Sequence, residues 1–230
     1  SDDSLMQIAP ASPPPPADDL STYQHRRFIG LAGVVLPWAC YGMARLRPTA
    51  PLPPADFLDS VSAYFYTQGA PVFVGTLVAL SVFMFFYQGY DNEHRGKDRV
   101  AALIAAWTAL GVAFLPTRAP AGVECPSWWT PLLGKAHVAS ATTLFLTFAF
   151  YALVLFPKTA PGVKAAGRKL VRNVTYYICG GLILAAMVWA IFAHMNDRPV
   201  FAAEATMLTA FGVAWLVKGR LDWAAAAAAR

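Results

Sequence analysis

Two ionisable side chains stand inside long apolar stretches of this sequence, His137 and Glu204. His137 lies near the start of the run Gly134–Phe156, and Glu204 lies near the start of the last apolar run. An ionisable group is unfavourable inside a bilayer, so by default it marks a candidate functional site. Imidazole and carboxylate together can act as an acid–base pair or as ligand contacts. If this protein is an enzyme, we predict that His137 and Glu204 are its catalytic residues.

Hydroxyl-bearing residues accompany this pair along the chain. They are Ser60, Ser62, Tyr64 and Tyr66 before the second apolar run, Thr117 after the third, and Ser140 three residues beyond His137. We predict that these residues contact a ligand, with residues 60–66 forming a lid. A serine beside a histidine could also act as a nucleophile. The G-x-S-x-G and S-x-x-K arrangements of known serine nucleophiles are absent from the sequence, so the pattern gives this role little support.

Three roles remain open for His137 and Glu204. In the first, the two side chains hydrogen-bond each other and hold helices together, an interaction worth about 0.6–2 kcal/mol inside a membrane. In the second, they line a ligand pocket. In the third, His137, His194 and Glu204 bind zinc and leave one position open. Each of these three residues comes from a different apolar run, and no local spacing supports a metal site. Our prediction is that no cofactor binds, with zinc as the alternative.

The composition predicts a membrane protein. Hydrophobic residues make up 57% of the 230 residues and charged residues 13%, about half the charged share of soluble domains. A helix of about 20 apolar residues rises far enough to cross a hydrocarbon core of about 30 Å. Six such runs are present, at about 28–44, 68–87, 100–115, 131–156, 174–193 and 199–217. They predict an all-α bundle of six transmembrane helices.

Basic residues predict the orientation of this bundle. Most of the 18 lysines and arginines precede the first run, follow the second, fourth and sixth runs, or lie in the C-terminal tail. Cytoplasmic loops of membrane proteins carry such an excess. We expect both termini in the cytoplasm, the chain in a bacterial inner membrane, and no nucleic-acid partner. His137 and Glu204 then lie roughly 9 Å and roughly 7–8 Å below the outer ends of their helices, at similar depths.

The chain divides into three predicted regions. Residues 1–27 are rich in proline and predict a disordered cytoplasmic tail, residues 28–218 form the transmembrane domain, and residues 219–230 form a second cytoplasmic tail. Cys40, Cys125 and Cys179 lie at different predicted depths, so we expect free thiols. Gly180 and Gly181 predict close helix packing in the fifth run.

Several segments, in the same order, resemble a bacterial family of six-span membrane proteins of unknown function. The segments are SVSAYFYT, VFVGTLVALSVFMFFYQGYD, ALGVAFLPT, the His137 run and PVFAAEATMLTAFGVAWLVKG, and the likeness covers about Phe28–Gly219. The resemblance points to Ser62, Tyr64, Tyr66, Asp91, Thr117, His137 and Glu204, and it implies no activity.

A more distant similarity, to the ceramidase and progestin-receptor-like superfamily of membrane hydrolases, implies zinc held by Ser, Asp and His between spans. This chain departs from that pattern, because it has six predicted spans rather than seven and lacks H-x-x-x-H in the last run.

The function expected from these features is binding of a small or lipidic molecule in an outward-facing polar pocket at His137 and Glu204. Modification of the bound molecule, for example by hydrolysis, would extend that function. The alternative is a non-catalytic accessory subunit that packs in a larger membrane protein complex. The expected partners are membrane lipid and, in the alternative, other membrane protein subunits.

Overall fold

Six helices form the computed structural model, which describes residues 17–46, 57–87, 95–157 and 167–219. They are α1 (Ala17–Leu46), α2 (Ala70–Phe86), α3 (Arg95–Phe114), α4 (Pro131–Phe150), α5 (Gly167–Met195) and α6 (Phe201–Lys218). A short 3-10 helix, Ser62–Tyr66, precedes α2, and a π-helical turn, Tyr151–Leu155, continues α4. The described residues contain no β-strand.

The predicted runs each coincide with one helix, and the main correction concerns the first. α1 begins at Ala17 rather than at Phe28, so residues 17–27 are helical and are not part of a disordered tail. The proline run ends at Pro16, and two aspartates follow it. Acidic residues in a first helical turn stabilise a helix N-terminus. The proline-rich composition of residues 1–27 favours disorder instead, and the prediction followed the composition. The remaining residues of both predicted tails, apart from Gly219, lie outside the described residues.

Four helices are long and apolar enough to cross a membrane, namely those over 24–46, 131–155, 167–195 and 201–218. α2 is also apolar but has 17 residues. α3 has 20 residues and begins with the charged sequence RGKDR. The described part of the chain is thus an all-helical, multi-pass membrane protein by length and composition.

The helices are arranged in a ring. Each helix packs on the next one in chain order, and α6 packs on α1. Two hydrogen bonds show that neighbouring helices run in opposite directions. Arg27 in the first half of α1 donates to the carbonyl of Gly219 after α6, and the Tyr151 hydroxyl after α4 donates to the carbonyl of Asp98 near the start of α3. We call the two ends of the bundle the Ser62 end and the Arg26 end, after residues that lie there.

The contact between α1 and α6 is built from glycines. A Cβ atom on Gly212 would lie 2.5 Å from the carbonyl oxygen of Gly30, and one on Gly30 would lie 2.8 Å from that of Gly212. Small residues allow helix backbones to approach this closely. In α5, a Cβ on Gly180 would clash with Leu153, whereas Gly181 faces open space. The close packing predicted for this pair therefore holds for Gly180 only.

The Arg26 end is filled by aromatic side chains. Trp215 is completely buried, and the rings of Tyr87, Tyr151 and Phe156 lie around it at centroid distances of 5.2–5.4 Å. Nearer the middle, Phe148 and Phe211 stack with centroids 3.5 Å apart. This half of the bundle has a packed core, whereas the Ser62 end is open.

Candidate functional site

A cavity of about 580 Å³ lies at the Ser62 end, between the 3-10 helix, the segment that follows α3, and helices α4, α5 and α6. Its polar wall comprises Asp59, Ser60, Ser62, Thr117, Arg118, His137, Thr142, His194, Asp197, Arg198 and Glu204. Its apolar wall includes Val138, Ala141, Phe145, Met187, Ala190, Ile191 and Met207. The cavity is therefore amphipathic, and both residues of the predicted catalytic pair line it.

His137 is buried on α4 and makes two hydrogen bonds. Its Nδ1 lies 2.6 Å from the carbonyl oxygen of Leu115, and its Nε2 lies 3.0 Å from Ser62 Oγ. A carbonyl only accepts, so Nδ1 must carry the ring proton. The Nε2 of the neutral ring is then an acceptor, and the Ser62 hydroxyl donates to it. The backbone of Leu115 thus selects the tautomer that points a lone pair at Ser62.

Pro116 explains why the end of α3 can hold His137. Proline disfavours the helical conformation at the residue before it, so α3 stops here and the carbonyls that follow need other donors. Three successive carbonyls accept from side chains. Leu115 accepts from His137, Pro116 from Trp129 Nε1 at 3.1 Å, and Thr117 from the Tyr66 hydroxyl at 2.7 Å.

Tyr66 is one of the side chains that donate to these carbonyls, and this is its role in the structure rather than contact with a ligand. Burial raises the pKa of Tyr66 to about 12, so its hydroxyl keeps the proton that it donates to the carbonyl of Thr117. Tyr66 does not line the cavity.

Glu204 lies in the first turn of α6 and holds the chain just before Ser62. Its Oε2 accepts the backbone N–H of Val61 at 2.7 Å, and the N–H of Ser62 also interacts with this carboxylate. The carbonyl of Asp59 accepts in turn from Val200 and Phe201 at the start of α6. A carboxylate at a helix N-terminus is favourable because it faces unpaired N–H groups and the positive end of the helix dipole.

No hydrogen bond joins His137 to Glu204. Instead, both are attached to the same peptide segment, His137 through the side chain of Ser62 and Glu204 through the backbone of Val61. The sequence predicted two groups at one depth, and both do line one cavity. Val61 and Ser62 belong to residues 60–66, the segment that the sequence predicts as a lid.

The other predicted ligand residues divide into two groups. Ser60 and Thr117 line the cavity, and Ser60 Oγ also accepts the N–H of Ala63 at 3.0 Å. Tyr64 and Ser140 do not line it. The Tyr64 hydroxyl accepts the N–H of Leu58 at 3.4 Å, and Ser140 faces Gly111 of α3.

Metal binding has no support in the described residues. His194 lines the cavity with His137 and Glu204, but no three His, Cys, Asp or Glu side chains of the described residues converge as ligands would. The Asp91 implied by the resemblance lies outside the described residues.

Cys40, Cys125 and Cys179 are free cysteines.

Several cavity residues escaped the sequence analysis. Four charged residues that line the cavity lie in connecting segments, namely Asp59, Arg118, Asp197 and Arg198. Charged residues are common in loops, so the sequence pattern did not indicate that these four belong to a site. One local signal was present at Asp197, which has a φ of 51° in the tight turn between α5 and α6. The left-handed region is uncommon for residues other than glycine, although Asp is among those that tolerate it.

Comparison with known proteins assigns no relative. No family model, no curated protein and no solved structure matches this chain.

Proposed function

We propose that this protein binds a small or lipidic molecule in the cavity at the Ser62 end, as a six-span protein of a bacterial inner membrane with both termini in the cytoplasm. The observation that carries this proposal is the amphipathic cavity. Ligand pockets are usually about 300–1,000 Å³ and mostly apolar, with a few polar groups that fix orientation. The cavity of about 580 Å³ has that character, with its apolar wall on α4, α5 and α6.

Two further observations support the proposed membrane arrangement. Because the helices form a ring, α2 and α3 each pack between two neighbours, and a ring of this kind is most simply embedded with all six helices crossing. Basic side chains are also more numerous at the Arg26 end, which the positive-inside rule assigns to the cytoplasm. The Ser62 end, with its cavity, would then face outward.

The resemblance to the six-span bacterial family is part of this proposal. Four of the residues that carry it, Ser62, Thr117, His137 and Glu204, line the cavity although they lie far apart in the sequence. Tyr64 and Tyr66 belong to the same segment as Ser62. The Tyr64 hydroxyl accepts from Leu58, and the Tyr66 hydroxyl donates to Thr117.

The proposed orientation predicts which introduced cysteines react from outside. In a chain whose three cysteines are replaced by alanine, Glu124→Cys should be labelled by a membrane-impermeant maleimide on intact cells. Gly96→Cys and Gly162→Cys should be labelled only after the cells are opened. The reverse pattern would contradict the orientation.

The proposed ligand site predicts that filling the cavity removes a bound lipid. Native mass spectrometry of the detergent-solubilised protein, with phosphatidylglycerol added, should show a one-to-one adduct. Ala141→Trp on α4 and Ala190→Trp on α5 each place an indole in the cavity, and both should reduce the adduct at least about tenfold. Ala139→Trp is the matched control, because Ala139 is exposed and does not line the cavity. Absence of an adduct from the wild type, or equal adducts in all variants, would contradict the proposal.

The accessory-subunit alternative has one observation in its favour, the exposed face of α5. Val188, Trp189 and Phe192 are each at least half exposed, as they would be against either lipid or a partner helix. A larger complex recovered from the membrane in mild detergent, together with no lipid adduct, would favour that alternative.

A further inference from the structure

We infer that Ser62 is a nucleophile with His137 as its general base, and that the cavity hydrolyses an acyl ester of a lipid. This inference rests on the proposed binding function and names a reaction for the same cavity. The sequence alone gave it little support, because Ser62 and His137 lie 75 residues apart and belong to no serine-enzyme motif.

The geometry meets three requirements of an activated serine. Nucleophile and base lie within hydrogen-bond distance, at 3.0 Å. The base is oriented by a third group, the carbonyl of Leu115, which fixes the ring proton on Nδ1. Finally, Ser62 and His137 are buried, at 6% and 3% exposure, and both line a cavity large enough for a substrate.

Ser62 differs from five threonine hydroxyls in the described helices. Thr108, Thr143, Thr147, Thr175 and Thr206 each donate to the carbonyl four residues earlier in their own helix. Such bonds are the ordinary way for a hydroxyl to be satisfied in a helix. Ser62 donates across the bundle to an imidazole nitrogen that can accept its proton.

Two further hydrogen bonds hold the segment that carries Ser62. Glu204 binds the backbone N–H of Val61, and the Ser60 hydroxyl accepts the N–H of Ala63. Glu204 is therefore a positioning residue, because it acts on the reaction only through the placement of Ser62. A nucleophile must be placed to within a fraction of an ångström of its productive position.

The chemistry balances with water as the only co-reactant. Ser62 Oγ forms a bond to the ester carbonyl carbon while His137 Nε2 takes the hydroxyl proton. The ester C–O bond then breaks, and the departing alcohol oxygen receives that proton from His137. Water attacks the acyl-serine, again giving a proton to His137, which returns it to Ser62 Oγ as the carboxylic acid leaves. The guanidinium groups of Arg118 and Arg198 on the cavity wall are the cations available to the transient oxyanion.

The cavity wall points to a lipid as the source of the ester. Phe145, Met187 and Ile191 form an apolar surface suited to an acyl chain, and the charged wall suits a polar headgroup. In the proposed membrane arrangement, the cavity lies at the depth of the outer leaflet, where such esters are abundant.

An alkyl fluorophosphonate tests the inference, because an activated serine displaces its fluoride and forms a stable phosphonate ester. We expect peptide mass spectrometry to locate the adduct on Ser62. Ser62→Ala should abolish it, and His137→Gln should slow it at least about 100-fold, the usual range for loss of a general base. Thr143→Ala is the matched control, since Thr143 bonds only its own helix on an exposed face, and it should react as the wild type does.

Other results would overturn the inference. Wild-type protein that binds phosphatidylglycerol but gives no adduct would refute the reaction and leave the binding function intact. An adduct on another residue, or an unchanged rate in folded His137→Gln, would refute the assigned roles. If His137→Gln does not fold, Ser62→Cys decides the question at pH 6, where ordinary thiols are protonated. Its introduced thiol should react with N-ethylmaleimide about ten times faster than Cys125, and equal rates would contradict a base at His137.

Discussion

Replacing Glu204 with alanine is expected to lower the free energy of unfolding by about 2–4 kcal/mol. The substitution leaves the backbone N–H groups of Val61 and Ser62 without their acceptor, and a buried unsatisfied donor costs about 1–3 kcal/mol. Glu204→Gln should lose less than half as much, because its amide oxygen can still accept from Val61. Thermal or denaturant unfolding in a fixed detergent gives the comparison, with Glu124→Ala in an exposed loop as the neutral control.

The same substitution should be coupled to His137. Both side chains hold the Val61–Ser62 segment, so loss of one releases part of what the other holds. A double-mutant cycle of Glu204→Ala with His137→Ala should give a coupling energy of roughly 0.5–2 kcal/mol. Strictly additive effects would contradict the shared segment. Glu204→Ala should also slow fluorophosphonate labelling of Ser62, and Glu204→Gln should bring the labelling rate back toward that of the wild type. A role for Glu204 in stability alone would not require this recovery.

Replacing Gly212 with valine is the second change with a large expected effect. A Cβ at this position would lie 2.5 Å from the carbonyl oxygen of Gly30 and 2.7 Å from the backbone nitrogen of Val34. Both obstacles are backbone atoms, so relief requires that α1 and α6 move apart along a long shared contact. We expect a loss of at least about 3 kcal/mol for valine and about 1–3 kcal/mol for alanine.

Gly181→Ala on α5 provides the matched control for this helix contact. Nothing lies within 4 Å of a Cβ at Gly181, and alanine is favoured over glycine inside a helix by about 0.5–1 kcal/mol. Unfolding measured in the same detergent should therefore show Gly181→Ala as neutral or slightly stabilised. Equal behaviour of the two alanine variants would mean that α1 and α6 are not in close contact.

Much of the secondary structure could be predicted because its signals are local. The start of α4 at Pro131 was predicted correctly. In the structure Thr130 caps this helix, and proline is favoured at the first helical position. The start of α6 was displaced by two residues from the predicted Pro199, because the carbonyl of Asp59 takes part in capping this helix. That partner is distant in the sequence and leaves no local pattern.

The amino-acid sequence alone determined that the chain is an apolar helical bundle and that His137 and Glu204 are its unusual polar residues. Hydropathy and helical rise are properties of each segment taken separately, so these conclusions needed no knowledge of packing. The sequence could not distinguish among the hydroxyls. Tertiary structure decided that Ser62 meets His137 and that Ser140 faces Gly111.

The physical reason is that these pairings depend on how separate helices are placed around the ring. Ser62 reaches His137 because a 3-10 helix brings it inward, with Glu204 holding the preceding N–H. His137 presents its unprotonated Nε2 to Ser62 because its Nδ1 donates to the carbonyl of Leu115, which is free to accept where Pro116 ends the helix. Each part of this site has an ordinary local cause, but only the closed ring of helices brings the parts to one cavity.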